Sequence, residues 1–596
     1  MKVTKLKAWI ILFYIVLALP LKATEAPRPN ILLILMDDLG YADVGFMPDA
    51  ASDIHTPNID ALAADGTIFT SAYVSHPFCG PSRTSIMTGR MPHTIGAQYN
   101  LAAFSGNGIA TTEKFISKVL NEAGYYTGII GKWHLGEGSE YHPNNRGFDY
   151  FYGFLGGGHE YFSNTWLNHS TYNPSNYPVG NYAGDYKRPM MENNTYVATG
   201  NGLYCTDVLT DAGVDFINRA ALDTEPFFLF MSYNAPHTPV QAMQRDIDGI
   251  KSALGADAAQ DGSERLTYTA MMYNVDDNIK RLVDKLKATG EFENTLIVFL
   301  SDNGGKTTKG ALNTPLKGSK GDAYEGGFRV PMFMHWPNGN VPRGFTNANN
   351  FSSLDFYPTF AFLAGASIPV DKIYDGIDVW DNVTNKTNPR QDEPIFVMRH
   401  HNGFNYSGVV ENNYKLFTTG NGSWRLYDLA SDISETTDIA SQYPQVVTLM
   451  KQSAYEWTWR HVEPAFFDAP SYGFEQKWNE FNMPNWPKTF GALYNADDYN
   501  AATLIDVAVD NQLAGYIYPN PVQTNVHIKL EHEKANHIDV ALYDLQGRLL
   551  QFVAGIAPAQ NKQYDFAIDA QINNGVYVIK IQTGKSRISK QIVLAR

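Results

Sequence analysis

Ile31-Leu-Leu-Ile-Leu-Met36 carries no polar side chain and is followed at once by Asp37-Asp38. Such a run reads as a strand buried on both faces, the kind that parallel sheets contain. Three further runs repeat the arrangement. Tyr126-Thr-Gly-Ile-Ile130 leads into Gly131-Lys132-Trp133-His134, Phe227-Phe-Leu-Phe-Met231 into a segment ending at His237, and Leu296-Ile-Val-Phe-Leu300 into Ser301-Asp302-Asn303. Longer mixed stretches separate them, so residues 27–390 have the rhythm of strand–helix–strand units around a mostly parallel sheet. Ligands of open α/β sheets bind beyond the carboxyl ends of the strands. If the four strands are neighbours, Asp37, Asp38, Lys132, His134, His237, Asp302 and Asn303 meet on one rim. One acidic ending alone is a turn or a helix N-cap. Four endings carrying carboxylates, Lys and His together point to a shared site. Asp37, Asp38, Asp302 and Asn303 offer hard oxygen donors, which suit Ca²⁺ or Mg²⁺ better than Zn²⁺. A dication would also let Asp37 and Asp38 stay ionised side by side.

A second informative stretch is Ser75-His-Pro-Phe-Cys79-Gly-Pro-Ser-Arg83, continuing to Thr88-Gly-Arg90. Pro81 fixes the backbone after Cys79, and the run from Ser82 reads as a helix start, where backbone N–H groups can hold an anion. Arg83 adds a planar cationic fork. A Cys in such a loop is, by itself, a small buried hydrophobe.

Cys79-Gly-Pro-Ser-Arg83 resembles the Cys-x-Pro-x-Arg signature of the type I sulfatases, whose cysteine is oxidised to Cα-formylglycine. Asn30 to Gly40, Gly131-Lys-Trp-His-Leu-Gly136, Arg146-Gly-Phe-Asp149, Ala235-Pro-His-Thr-Pro239, Ser301-Asp-Asn-Gly-Gly305 and Lys317 to Pro331 resemble the family in the same order, from about residue 28 to 460. The resemblance implies an alkaline-phosphatase-like α/β fold, with a mostly parallel sheet sandwiched by helices. It implies calcium held by Asp37, Asp38, Asp302 and Asn303, and bound also by the hydrated aldehyde at position 79. One hydroxyl of that hydrate would attack sulfur, and deprotonation of the other would expel sulfate from the covalent sulfo-enzyme. The family would make His134 the base for that elimination. Lys132 and Arg83 would hold the modified residue, while His237 and Lys320 would stabilise sulfate and protonate the leaving oxygen. Lys317 would lie outside the reacting groups. If Cys79 becomes an aldehyde, Cys205 has no disulfide partner and is a buried structural thiol. A sulfatase-maturating enzyme is then an expected partner.

The remaining composition bounds the rest. The chain has 596 residues and a net charge of −15, so several domains are expected and general nucleic-acid binding is not. Two cysteines exclude a disulfide scaffold. Lys2, Lys5 and Lys7 precede an apolar run from Ala8 to Leu19, which with Ala23 or Ala26 reads as a cleaved secretory leader over residues 1–23. The catalytic domain is expected over 24–390 and a smaller α+β subdomain over 391–510. Its Trp424-Arg-Leu-Tyr-Asp-Leu429 resembles the terminal sheet of the family.

From Gly515 onward Lys and Arg number nine against six Asp and Glu, and short alternating runs recur at 526–530, 538–543, 575–581 and 588–593. That pattern predicts an all-β sandwich over 515–596. Tyr518-Pro-Asn-Pro521, Leu542 to Arg548 and Gly575 to Lys580 resemble the C-terminal sorting domain of Bacteroidota type IX secretion. The resemblance implies export through the periplasm, delivery to the cell surface or outside, and that machinery as a partner. An exported sulfatase points to a sulfated carbohydrate substrate. Ulvan, carrageenan, fucoidan and glycosaminoglycans all fit, and so does a surface protein that binds sulfated glycan without turnover. Candidate substrate contacts are Gly156-Gly-Gly-His159-Glu-Tyr161 and Arg399-His400-His401-Asn402.

Overall fold

The computed structural model describes residues 28–467 except 256–261, 392, 402–403, 420–422, 459–460 and 463, together with the strands of 515–594 and part of their connections. The leader expected at residues 1–23 and the stretch 468–514 lie outside the described residues. Eleven strands form the main sheet: β1 (Asn30–Met36), β2 (Thr67–Tyr73), β3 (Tyr126–Lys132), β4 (Tyr150–Phe154), β5 (Met191–Glu192), β6 (Thr195–Tyr196), β7 (Phe227–Ser232), β8 (Thr295–Ser301), β9 (Arg329–His335), β10 (Phe345–Asn347) and β11 (Phe351–Ser352). Their order is β10-β2-β9-β8-β1-β7-β3-β4-β5-β6, with β11 also on β2. The four apolar runs are adjacent and parallel, as β8-β1-β7-β3. β9 runs antiparallel between β2 and β8, so the sheet is mixed but mostly parallel.

The all-apolar character of β1 follows from its two covered faces. Ile31, Leu33 and Leu35 enter one core, with Ile86 and Met87 of α2 (Cys79–Thr88) and Val119 and Leu120 of α3 (Ile116–Glu122). Leu32, Ile34 and Met36 enter the other, with Ile59 of α1 (Pro57–Ala64), Phe216 of α5 (Cys205–Ala220) and Met271, Val275 and Leu282 of α7 (Glu264–Thr289). Between α3 and α5 lies the single turn α4 (Tyr182–Asp185), and α6 (Gln244–Leu254) precedes α7.

A second sheet is antiparallel, in the order β12-β13-β14-β15, built from β12 (Ile395–His401), β13 (Phe404–Glu411), β14 (Tyr414–Thr418) and β15 (Trp424–Asp428). Met450 and Ala454 of the helix Pro444–Thr458 pack on Val409, Leu416 and Leu426, giving the expected α+β unit. At the C-terminus two antiparallel sheets, of three and four strands, share their own core of Val526, Ile528, Val540, Leu542, Phe566, Ile579 and Ile592. The four predicted runs are all strands there. Three more, Gly515–Tyr518, Leu549–Ile556 and Gln563–Ala567, complete the sheets. Among the described residues no helix is long and apolar enough to cross a membrane.

Candidate active site

The central strands end level: Leu35 pairs with both Ser232 and Leu300, and Gly131 with Ser232. The residues that follow therefore open onto one rim, as the strand endings predicted. α2 approaches the same rim and is buried along its whole length. It begins at Cys79, three residues before the predicted start, with Phe78 extended ahead of it. Pro81 sits in the first turn, where its missing N–H is no loss. Cys79 and Arg83 are one turn apart and share a helix face.

Arg83 ties the strand ends together. Its Nε donates to Asp302 Oδ2 at 2.8 Å, and its Nη1 donates to Ser232 Oγ at 2.5 Å and to the Lys132 carbonyl at 3.2 Å. Lys132 Nζ donates to Asp37 Oδ2 at 2.6 Å. Lys320 Nζ lies 2.6 Å from Asp38 Oδ1, which also accepts from Asn303 Nδ2 at 2.8 Å. His237 donates from Nδ1 to the Thr238 carbonyl at 2.7 Å, which turns Nε2 toward Asp38 Oδ2 at 3.8 Å. Cys79 Sγ is 3.7 Å from Asn100 Oδ1, which also accepts the Gly80 N–H at 2.9 Å. Lys317 turns away and donates to the Glu435 carbonyl at 3.1 Å.

Two of these residues hold unusual backbone. Asp38 and His134, which follow β1 and β3, have φ of 63° and 59°. Non-glycine residues in that left-handed region store strain that the surrounding fold must hold in place, and such positions cluster at functional sites.

Electrostatics divide the groups. Burial alone would raise both Asp37 and Asp38. Lys132, His237 and Arg83 around Asp37, and Lys320 and His237 around Asp38, hold both carboxyls below the ordinary range. Burial and the charge of Asp37 push Asp302 up to about 8. Burial, with Lys132 and Arg83, holds His134 far below an ordinary histidine, and burial chiefly pulls His237 down to about 4. Both imidazoles are therefore neutral bases at neutral pH. Lys320 is held charged, because Asp38 and its neighbours outweigh the burial.

Three buried oxygens, Asp37 Oδ1, Asp38 Oδ2 and Asn303 Oδ1, accept no hydrogen bond from the described residues. Acceptors buried without donors are costly unless something electropositive meets them. Hard oxygens of this kind fit Ca²⁺. Ligand atoms of Asp37, Asp38 and His237 lie within 4.8 Å of one another, a grouping that contains His237 in addition to the predicted oxygen donors. Asp302 stands at the edge of this cluster, with Oδ2 committed to Arg83 and Oδ1 3.4 Å from the Asp38 amide.

The expected substrate contacts fare differently. His159 is fully buried, and its two ring nitrogens meet the carbonyls of Glu160 and Arg188 at 2.8 Å each. Its ring is tilted against Phe154 and edge-on to Trp166, so it is packed in the core rather than presented to a ligand. The glycines before it are closely packed. A Cβ on Gly156 would lie 2.0 Å from Asp185 Oδ1, one on Gly157 3.0 Å from His134 Nε2, and one on Gly158 2.6 Å from the Tyr186 ring. Only glycine lets this segment pass so closely. His400 and His401 end β12, and their side chains lie outside the described residues. Sequence reasoning missed Asn100, Ser232, Asp185 and Tyr186. Of these only Ser232, directly after the Phe227–Met231 run, carried a positional signal.

Residues 29–366 match the family model described as Sulfatase, 319–458 that described as N-sulphoglucosamine sulphohydrolase, C-terminal, and 516–595 the Secretion system C-terminal sorting domain. The chain is 30% identical to the uncharacterized sulfatase YdeN of Escherichia coli over 72% of its own length and 86% of that protein. It is 32% identical to N-acetylgalactosamine-6-sulfatase of Canis lupus familiaris, over 69% of this chain and 76% of that one. Among solved structures, Ps i-CgsB in complex with k-i-k-neocarrahexaose superposes with a TM-score of 0.72 at 43% identity, covering 78% of this chain and 99% of that one.

Proposed function

This chain belongs to the sulfatase family and is a sulfuric ester hydrolase, and on that premise we propose that it desulfates a polysaccharide of the carrageenan type, or its oligosaccharides, outside the cell. The observation that carries the reading is the convergence of Cys79, Arg83, Lys132, His134, His237 and Lys320 around three unpartnered buried oxygens. The likeness to Ps i-CgsB supports the carrageenan class. The sorting-domain match indicates secretion by the type IX system to the surface or beyond. A leader over residues 1–23 would supply the first export step.

Asp37, Asp38 and Asn303 would hold calcium, with Asp302 completing the set, and the ion would supply positive charge for the sulfate oxygens. Cys79, matured to Cα-formylglycine by a sulfatase-maturating enzyme, would supply the nucleophilic oxygen in the place its Sγ now marks. Arg83 and Lys132, fixed by Asp302 and Asp37, keep two cations beside that position. The N-terminus of α2 adds its N–H dipoles. His134, neutral and with a buried Nδ1 that meets no donor or acceptor among the described residues, is suited to take a proton from residue 79. His237 has its lone pair on Nε2. To donate to the departing oxygen it must first take up a proton, which an approaching sulfate ester favours. Lys320 carries a proton already.

The test is the mass of the Cys79 peptide from protein made beside sulfatase-maturation activity, followed by sulfate release from carrageenan, ulvan, fucoidan and glycosaminoglycan oligosaccharides. An aldehyde at 79 with release from carrageenan fragments is expected. An unmodified thiol, with a control sulfatase converted, would refute the mechanism. A match of 319–458 to a sulphoglucosamine sulphohydrolase favours a glycosaminoglycan as the second reading, and release confined to those substrates would select it. Tight glycan binding by matured protein that releases no sulfate would instead identify a binding protein.

A further inference from the structure

We infer that Tyr186 is a substrate-binding residue, whose ring and hydroxyl hold the sugar that carries the transferred sulfate; this rests on the reading of the chain as a carbohydrate sulfatase. Tyr186 follows α4 and is only partly buried. Its ring meets His237 edge-on with centroids 6.2 Å apart. Its phenol lies near Lys320, position 79 and Asp37. It thus stands beside the groups that act on the ester, partly exposed to solvent.

Its hydroxyl has no hydrogen-bond partner among the described residues. Contrast the neighbouring buried tyrosines. Tyr161 donates to the Asn234 and His237 carbonyls, and Tyr204 to that of Gln241. A phenol left unengaged beside reacting groups is a donor and acceptor open to a ligand hydroxyl or ring oxygen, and its ring offers an apolar face for a sugar.

The backbone around Tyr186 is fixed in a way that a mobile surface tyrosine does not need. Its carbonyl accepts the Glu160 N–H at 2.7 Å, and its own N–H donates to the Tyr182 carbonyl at 3.0 Å. The preceding Asp185 accepts the Gly157 N–H at 3.0 Å and lies 2.6 Å from Arg188 Nε, and Arg188 in turn donates to Glu137 at 2.7 Å. Gly158 lacks the Cβ that would occupy the ring's position. The same strip of chain thus packs Gly157 on His134 and Gly158 on Tyr186, fixing the proposed base and the proposed sugar contact relative to each other.

The test compares matured wild type, Tyr186→Phe and Tyr186→Ala on neocarrahexaose and on 4-nitrophenyl sulfate, which has no sugar. Conversion of Cys79 is measured by mass in each, and folding by thermal melting. Loss of one neutral hydrogen bond predicts that Tyr186→Phe raises KM for the hexaose about fivefold to tenfold, with the loss larger in KM than in kcat. The ratio of kcat/KM between hexaose and aryl ester should fall by a similar factor, and further in Tyr186→Ala. Equal losses on both substrates, or no loss on either in both variants, would overturn the assignment. Where wild type turns over another of the screened glycans in place of the hexaose, that glycan replaces it in the comparison; a wild type that hydrolyses the aryl ester and none of the screened glycans would overturn the carbohydrate reading itself, and this assignment with it.

Discussion

Replacing Lys415 by Met should destabilise the protein by about 3–5 kcal/mol at pH 8, and by less at pH 5. Lys415 lies on β14, in the second sheet, with its Nζ 3.0 Å from Glu325 Oε1 and 2.8 Å from Glu435 Oε1. All three side chains are completely buried. Glu325 belongs to the short helix before β9, so the lysine joins the main sheet's surroundings to the second sheet. Without it Glu325 keeps Tyr73 and Arg329, at 2.8 and 3.2 Å. Among the described residues the Glu435 carboxylate then keeps the Glu325 N–H alone, at 2.8 Å, facing another carboxylate with no cation between. Methionine fills most of the lysine's volume, so the loss is electrostatic and not a cavity. Burial already pushes Glu435 up to about 6, and each further unit adds about 1.4 kcal/mol to what its ionisation costs the folded state. A carboxyl whose folded pKa is raised takes stability away above that pKa and returns it as pH falls toward the unfolded value. The variant's deficit should therefore shrink between pH 8 and 5. Urea unfolding followed by tryptophan fluorescence at both pH values measures it, with Glu435→Gln added as a second change to recover most of the loss. A variant as stable as wild type at pH 8, or a deficit that ignores pH, would refute the reasoning.

Three further outcomes are expected. Cys79→Ala should abolish sulfate release and leave the melting temperature within a degree or two; residual release near wild type would dismiss the nucleophile. Gly157→Ala places a methyl 3.0 Å from His134 Nε2, so kcat should fall tenfold or more while stability drops by about 1 kcal/mol or less; an unchanged kcat would show that the imidazole has room to move. Asp38→Asn removes a charge from the group of unpartnered oxygens. Calorimetric calcium binding should weaken at least a hundredfold, and chelation should lower the wild-type melting temperature and not the variant's; equal calcium affinity would place the ion elsewhere.

The four strand endings were legible because chain chemistry and topology coincide there. An apolar run must stop where the sheet stops, and Asp37, Lys132 and Asp302 are the next polar side chains. α2 was read three residues late, since Pro81 suggested a boundary where the structure has a first helical turn. His159 followed three glycines and so suggested an exposed contact. The glycines are there for close packing, and the imidazole is buried between two backbone carbonyls. Asn100 and Tyr186 come from irregular segments, and Asp185 from a single helical turn too short to show a period. The Glu325–Glu435 contact spans 110 residues, a distance over which no local pattern carries information. In the tail, Leu549–Ile556 escaped notice because it faces solvent along much of its length and so lacks the alternation of its neighbours.

Cys205 stands at the first position of α5, fully buried and unpaired, and the chain contains only one other cysteine. That makes the polypeptide its own counting standard. Unfolded in guanidinium, an unconverted molecule presents two sulfhydryls to a colorimetric reagent, whereas a molecule bearing the proposed aldehyde presents one. The Cys205 sulfhydryl serves as the internal reference for every sample, so the average titre of a preparation gives its converted fraction directly. Specific activities can then be expressed per competent molecule, and hosts or growth conditions ranked by conversion yield without digestion or sequencing.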